Sequence, residues 1–430
     1  MKKINSHLAP MRLILFCLIS GFFSLLPCNA IYLPKEQSVA VRDTFYMESA
    51  DSDSVAQDST LNWPQNLRNS LSQLIKNEMF EHTQLGMYVY DLTADSALFD
   101  FGKLQLMRPA SVLKLLTSIT ALTNLGGSYQ FTTRLYTTGE VKDSILLGDV
   151  YIRGGFDPRF GSDDMEAFVE ALAEKGLKKI NGNIYSDMSL KDTLKWGEGW
   201  CWDDDERTLR PLLYNGKDIF MSKFFEKLND NGIAHPQTYS EKLIPADSVK
   251  LTSERSHTMD QILMRMLKNS DNLYAEALFY QFGAKDGSNY PSAKVSAAKV
   301  NNFIRSLGLD PDDYNIADGS GLSLYNYVTP QLIVRALRYA WQRNNIYLHL
   351  FPALPLAGVD GTLENRMRSG YAFSNVHAKT GTLRGVSSLA GYATSANDHL
   401  ICFCILNQGI RSNNTAHRFQ DKVCKIITQP

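Results

Sequence analysis

The chain lacks several features that would announce a function. Its six cysteines are too few and too scattered over 430 residues for a disulfide framework, and none stands at zinc-ligand spacing. The histidines His7, His82, His235, His257, His349, His377, His399 and His417 contain no H-E-x-x-H, which argues against a metallopeptidase. A formal net charge of −1 and the absence of a basic run give nucleic acid nothing to bind. There is no internal repeat. The apolar run "LILFCLISGFFSLL" at 13–26 falls short of the roughly 20 residues a membrane span needs. What remains is an ordinary globular composition, 44% hydrophobic and 21% charged, long enough for two or three domains.

That apolar run follows Lys2, Lys3 and Arg12 and precedes "PCNA". A basic stretch, an apolar core and a small-residue cleavage site form a secretory leader, residues 1–30, cut after Ala30. The expected location is therefore the periplasm or cell envelope. Cys28 as a lipid anchor is the weaker reading, because Pro27 precedes it. Residues 31–62 are polar, rich in Asp and Ser, and without lasting periodicity, so they read as a flexible linker.

From Trp63 a helix is expected to about Phe80, then two strands, "QLGMYVYDL" and "SALFDF". Near the far end, "SSLAGYATSANDHLICFCILN" reads as two strands around an Asn397–Asp398 turn, with a closing helix over about 414–427. Cys402 and Cys404 alternate along the second of these strands and should share a buried face. Strands near both termini with helices between them suggest an antiparallel sheet shared by the two ends and covered by helices, an α+β domain of residues 63–138 and 255–430. The stretch 139–254 mixes strands, a helix and a Trp/Asp-rich loop, and reads as a smaller inserted lobe.

"RPASVLKLLTSITALTNLGG" (108–127) reads as a helix that is apolar nearly all round and therefore buried, yet it carries Lys114 one turn beyond Ser111. Alone the pair is weak evidence, for Ser296 and Lys299 in "SAAK" repeat it, and a lysine can snorkel to solvent. Ser270, Asp271 and Asn272 lie between two helical stretches, where a helix cap is the plain explanation. Lys379, Thr380 and Gly381 enter a terminal strand, where a glycine lets another backbone approach. In order, S-x-x-K, S-D-N and K-T-G form a known set, that of penicillin-binding proteins and class A β-lactamases.

With "LLGDVYIRGGFDP", "GWCWDD", "ADGSGLS", "LPLAGVDGTLENRM" and "AKTGTLRGVSSLAGY", the chain resembles the D-alanyl-D-alanine carboxypeptidases of serine peptidase family S13, over roughly residues 64–427. The resemblance implies a DD-peptidase/β-lactamase-like transpeptidase fold with inserted lobes. The short separation of Ser111 from Ser270 implies that one of the usual two lobes is absent.

It also implies roles. Ser111 would attack the penultimate D-alanine carbonyl of a peptidoglycan stem peptide, with Lys114 as base. Ser270 would relay a proton, and Asn272 would orient Lys114 and the substrate amide. Lys379 and Thr380 would hold the terminal carboxylate, and the N–H groups of Ser111 and Thr382 would form the oxyanion hole. β-Lactams would acylate Ser111, and no metal or cofactor is called for. Lysine is a base only when neutral, so burial and the nearby cation of Lys379 should lower its pKa; a drop of about 3 units costs roughly 4 kcal/mol.

Relatives often carry an arginine after "DGSGLS" and a glutamine after K-T-G, near the acyl-donor side chain. Here Leu324 and Arg384 stand at those places. Either Arg384 restores the lost cation, or Leu324 faces the core and Arg384 faces solvent. Two further readings stay open. One is a β-lactamase or esterase of the same fold, although "SLGLDPDDYNIADGS" has no glutamate to serve as a class A deacylation base. The other is a non-catalytic penicillin-sensing module.

Overall fold

The structure is a computed structural model that describes residues 60–204 and 206–429. The expected leader, Cys28 and nearly all of the linker lie outside the described residues.

The central sheet has five antiparallel strands in the order His377–Leu383, Val386–Thr394, Leu400–Gln408, Gln84–Asp91, Ser96–Phe101. The first described strand pairs with the last, Gln84 opposite Gln408, so both ends of the chain build one sheet. Side chains alternate across it. Met87, Val89, Phe403 and Ile405 pack under the helices Trp63–Leu74 and Asn413–Thr428. Tyr88, Tyr392, Cys402 and Cys404 face a thicker helical layer on the other side. Both cysteines are fully buried on that common face.

The first helix ends at Leu74 rather than near Phe80. Asn77 caps the N–H of Met79 with its side chain at 2.9 Å and starts a separate 3-10 turn, Glu78–Glu81. Asn competes for backbone donors in this way and so breaks helices. The closing helix runs Asn413–Thr428.

Within the helical layer, the buried helix is Leu113–Leu125, with a 3-10 turn Ala110–Val112 before it. It packs against Asn272–Ala284, Pro330–Trp341 and Asn344–Ala353. Ile119, Leu116, Phe279 and Leu337 are among the buried residues of that core.

Residues Gln130 to Thr258 contain a second sheet, in the order Lys250–Thr258, Gln130–Thr137, Val150–Arg153, Ile184–Asp187, Tyr239–Glu241. It extends past both ends of the 139–254 stretch. A three-stranded sheet and the helices Ser162–Ala173 and Phe220–Asp230 complete this part, around one apolar cluster that includes Leu135, Phe168, Phe224 and Ile233. The loop between Asp187 and Phe220 turns back from this cluster to the S-D-N segment.

Candidate active site

Ser111 sits in the 3-10 turn that leads into the buried helix. The residue before it, Ala110, is held at φ 47°, a left-handed conformation that costs a non-glycine residue energy. Two contacts hold that turn. Ser388 donates its hydroxyl to the Pro109 carbonyl at 2.6 Å. Gly321, itself at φ +83°, presses so close that a Cβ on it would lie 1.9 Å from the Ala110 oxygen. The neighbouring strand crowds the turn from another side. A Cβ on Gly381 would lie 2.2 Å from Ser388 Oγ and 3.0 Å from the Ser111 nitrogen. Gly381 thus lets the edge strand reach the serine.

Lys114 is fully buried. Its Nζ lies 2.8 Å from Ser111 Oγ, 2.6 Å from Asn272 Oδ1 and 2.7 Å from the Ser320 carbonyl. The last two are oxygens that can only accept. A neutral amine has two N–H donors and one lone pair. The ammonium donates to all three; once neutral, the amine can keep its two donors on Asn272 and Ser320 and turn its lone pair to the Ser111 hydroxyl. Burial lowers the amine from near 10.5 to about 8, against the opposing charges of Asp318, Glu276, Glu206 and Asp271.

Lys379 is also fully buried, donating to Ser270 Oγ at 2.9 Å and to the Thr380 carbonyl at 2.7 Å. Burial, and then the charge of Lys114, push it well below its ordinary value. The charges of Asp318, Glu276, Glu206 and Asp271 oppose the lowering of Lys114. Ser270 is held at φ 58°, and Asp271 caps the helix that Asn272 begins. Arg207 and Arg265 both grip the Asp271 carboxylate.

Thr380 bonds Thr362 through their hydroxyls at 2.7 Å, and Thr382 lies exposed on the free edge of the sheet. The structure therefore brings Ser111, Lys114 and Asn272 into direct contact, sets Lys379 on Ser270, and lays Gly381 against the Ser111 backbone. The decoy pair does not behave this way. Ser296 Oγ is buried without a partner, and Lys299 pairs with Asp286. Arg384 stands exposed in the turn after the K-T-G strand. The guanidinium that reaches Leu324 is instead that of Arg108, whose Nε donates to the Leu324 carbonyl at 3.0 Å. His377, on the same strand as Lys379, stacks on Phe351 at 4.0 Å and is held neutral by burial, its pKa about 4.

Several contributors had no role assigned from the sequence. Asp318 accepts from the N–H groups of Gly321 and Ser323 at 2.8 and 2.7 Å and from Trp200 Nε1 at 2.9 Å. Glu276 accepts from the N–H groups of Gly319 and Ser320, and burial followed by the charge of Asp318 raises it to about 8. Together they fix the Ser320 carbonyl on Lys114. Their sequence signals were "ADGSGLS" and a glutamate one turn beyond Asn272, which no local rule singles out. Glu206 also meets the site, bonding Asn272 Nδ2.

The family model described as the D-Ala-D-Ala carboxypeptidase 3 (S13) family matches residues 67–212 and 212–429. A curated relative, D-alanyl-D-alanine carboxypeptidase DacB of Haemophilus influenzae, is 24% identical over 75% of this chain and 85% of its own. Among solved structures, penicillin binding protein 4 (dacB) from Haemophilus influenzae superposes with a TM-score of 0.74 at 22% identity, covering 83% of this chain and 97% of that one. The same protein complexed with a β-lactam gives a TM-score of 0.66 at 23% identity, covering 82% and 97%. A peptidoglycan endopeptidase from Bdellovibrio bacteriovorus gives a TM-score of 0.53 at 17% identity, covering 80% and 92%.

Proposed function

Because the chain belongs to the D-Ala-D-Ala carboxypeptidase 3 (S13) family, we infer that it is a serine DD-peptidase that cleaves peptidoglycan stem peptides through an acyl-enzyme on Ser111. The observation that carries the assignment of Ser111 is the Lys114 amine, whose two other partners can only accept. Its lone pair takes the Ser111 proton as Oγ attacks the carbonyl carbon of the penultimate D-alanine. The N–H groups of Ser111 and Thr382 face the oxygen that gains the charge. When the C–N bond breaks, the departing D-alanine nitrogen takes, relayed by Ser270, the proton that Lys114 accepted from Ser111, which returns Lys114 to the free amine. Ser270 is held for this by Lys379. Water then attacks the ester and releases the shortened peptide, returning a proton to Ser111.

Lys379 and Thr380 receive the terminal carboxylate. Desolvated and without a carboxylate partner among the described residues, Lys379 receives its counter-charge when substrate arrives. The peptide lies along the free edge of the K-T-G strand as an added strand. A β-lactam enters the same groove and acylates Ser111. The leader 1–30 delivers the enzyme to the periplasm or cell envelope. Among the described residues no helix is long and apolar enough to cross a membrane.

Labelled penicillin should attach covalently to the native protein and to Ser296→Ala, but not to Ser111→Ala. Labelling that persists in Ser111→Ala would overturn the assignment. Release of D-alanine from an acyl-D-Ala-D-Ala peptide separates a peptidase from a module that acylates and stays acylated, and from a β-lactamase. Mass analysis of digested muropeptides then separates carboxypeptidase from endopeptidase products.

A further inference from the structure

The loop between Asp187 and Phe220 does more than pack beside the site. It places Glu206 Oε1 on Asn272 Nδ2, the opposite end of the amide whose Oδ1 accepts from Lys114. Two neighbours on the same loop seat it independently. Arg207 pairs with Asp271, and Trp200 Nε1 donates to Asp318 at 2.9 Å. An asparagine amide can turn over, exchanging its oxygen and nitrogen. Here a carboxylate acceptor on one side and an amine donor on the other permit a single orientation. Turned over, the amide would set its NH2 against the Lys114 amine and its oxygen against the Glu206 carboxylate.

We propose that Glu206 is a positioning residue, supplied by the inserted segment, that locks the Asn272 amide and sets the charge felt by the Lys114 base. The proposal rests on the reading of Lys114 as base. Two separable effects follow. The hydrogen bond keeps Asn272 Oδ1 on the amine, so that the lone pair stays on Ser111. The negative charge, one amide away, favours the ammonium and raises the pH at which the base becomes available. The other charged groups facing Lys114 are Asp271 and Glu276 on the helix Asn272–Ala284 and its cap, Asp318 on the loop before Gly319, and Lys379 on the edge strand. None of them is itself changed by a substitution at Glu206.

The test is the rate of acylation by labelled penicillin as a function of pH, with thermal unfolding as a check on folding. Glu206→Gln keeps an acceptor for Asn272 and removes the charge. Its acid limb should move down by about half to one pH unit while most of the high-pH rate survives. Glu206→Ala removes both effects, so the same shift should accompany a plateau lowered roughly tenfold, as for the loss of about one charge-assisted hydrogen bond. Limbs that coincide with the native protein in both variants overturn the proposal. So does an equal plateau loss in both with an unmoved limb, which would reduce Glu206 to a brace for the loop. If the native protein is not acylated at any pH, the reading of the site itself fails, whatever Glu206 does.

Discussion

Replacing Lys114 by arginine keeps a cation in the turn and removes only the ability to lose a proton. With the amine at about 8, about a tenth of the molecules carry a neutral Lys114 at pH 7 and about a hundredth at pH 6. The native acylation rate should therefore rise about tenfold per unit from pH 6 and level off above 8. A guanidinium with a pKa above about 12 is neutral in fewer than one molecule in about 10⁵ at pH 7. Acylation by labelled penicillin should then fall by at least about 10⁴-fold, with no recovery up to pH 9. The assay is a quenched time course of labelling, with circular dichroism to confirm folding. An arginine variant that labels at more than about 1% of the native rate would refute the lone-pair argument, since the cation alone would then suffice.

Four other outcomes follow from the same geometry. Lys379→Arg should retain a measurable fraction of turnover on an acyl-D-Ala-D-Ala peptide while Lys379→Met loses most of it, the gap narrowing when the terminal carboxylate is amidated; equal losses would remove Lys379 as anchor. Gly381→Ala should abolish acylation and destabilise the fold by about 1–3 kcal/mol in urea titration, because the new methyl meets Ser388 Oγ and the Ser111 nitrogen; near-native labelling would contradict the close approach. Stability should also respond to pH. The Lys114 pKa is lower in the folded state, about 8 against an ordinary 10.5, so between these values the unfolded chain holds more protons and stability rises with pH. The native protein should gain about 2 kcal/mol over Lys114→Met between pH 8 and 10, and parallel curves would deny the shift. Finally, Arg108→Gln should depress kcat/KM selectively on a peptide whose side chain bears a free carboxylate, with Arg384→Gln nearly silent; the reverse pattern would return the role to the exposed turn.

The three motifs, the terminal strands and the buried helix were legible because each rests on local chemistry: a serine one turn from a lysine, period-two apolar runs, a glycine where backbones meet. Cys402 and Cys404 could be placed on a buried face from alternation alone. The early end of the first helix at Leu74 was not visible, since it depends on whether Asn77 spends its side chain on Met79. Asp318, Glu276 and Glu206 escaped for a different reason. Their partners lie far along the chain, and nothing in a glutamate's immediate neighbours tells whether it will meet solvent or a buried amide. The spacing revealed the two lysines and the burial that lowers Lys114, but not the four carboxylates that oppose that lowering.

The pairing of Gln84–Asp91 with Leu400–Gln408 has a consequence for how the molecule comes into being. The first strand of the sheet to emerge, Gln84–Asp91, must wait until Leu400–Gln408 has been made before its far neighbour exists. Contacts of such long sequence separation make folding slow, because loop closure is paid for before native pairing rewards it. Lys379 and the strand that steers substrate lie in that late portion, so a nascent or truncated chain has the nucleophile segment without the sheet that encloses it. Activity is therefore tied to completion of synthesis. A chain that stops before Leu400 would carry Ser111 and Lys114 without the strand that ties Gln84–Asp91 into the sheet.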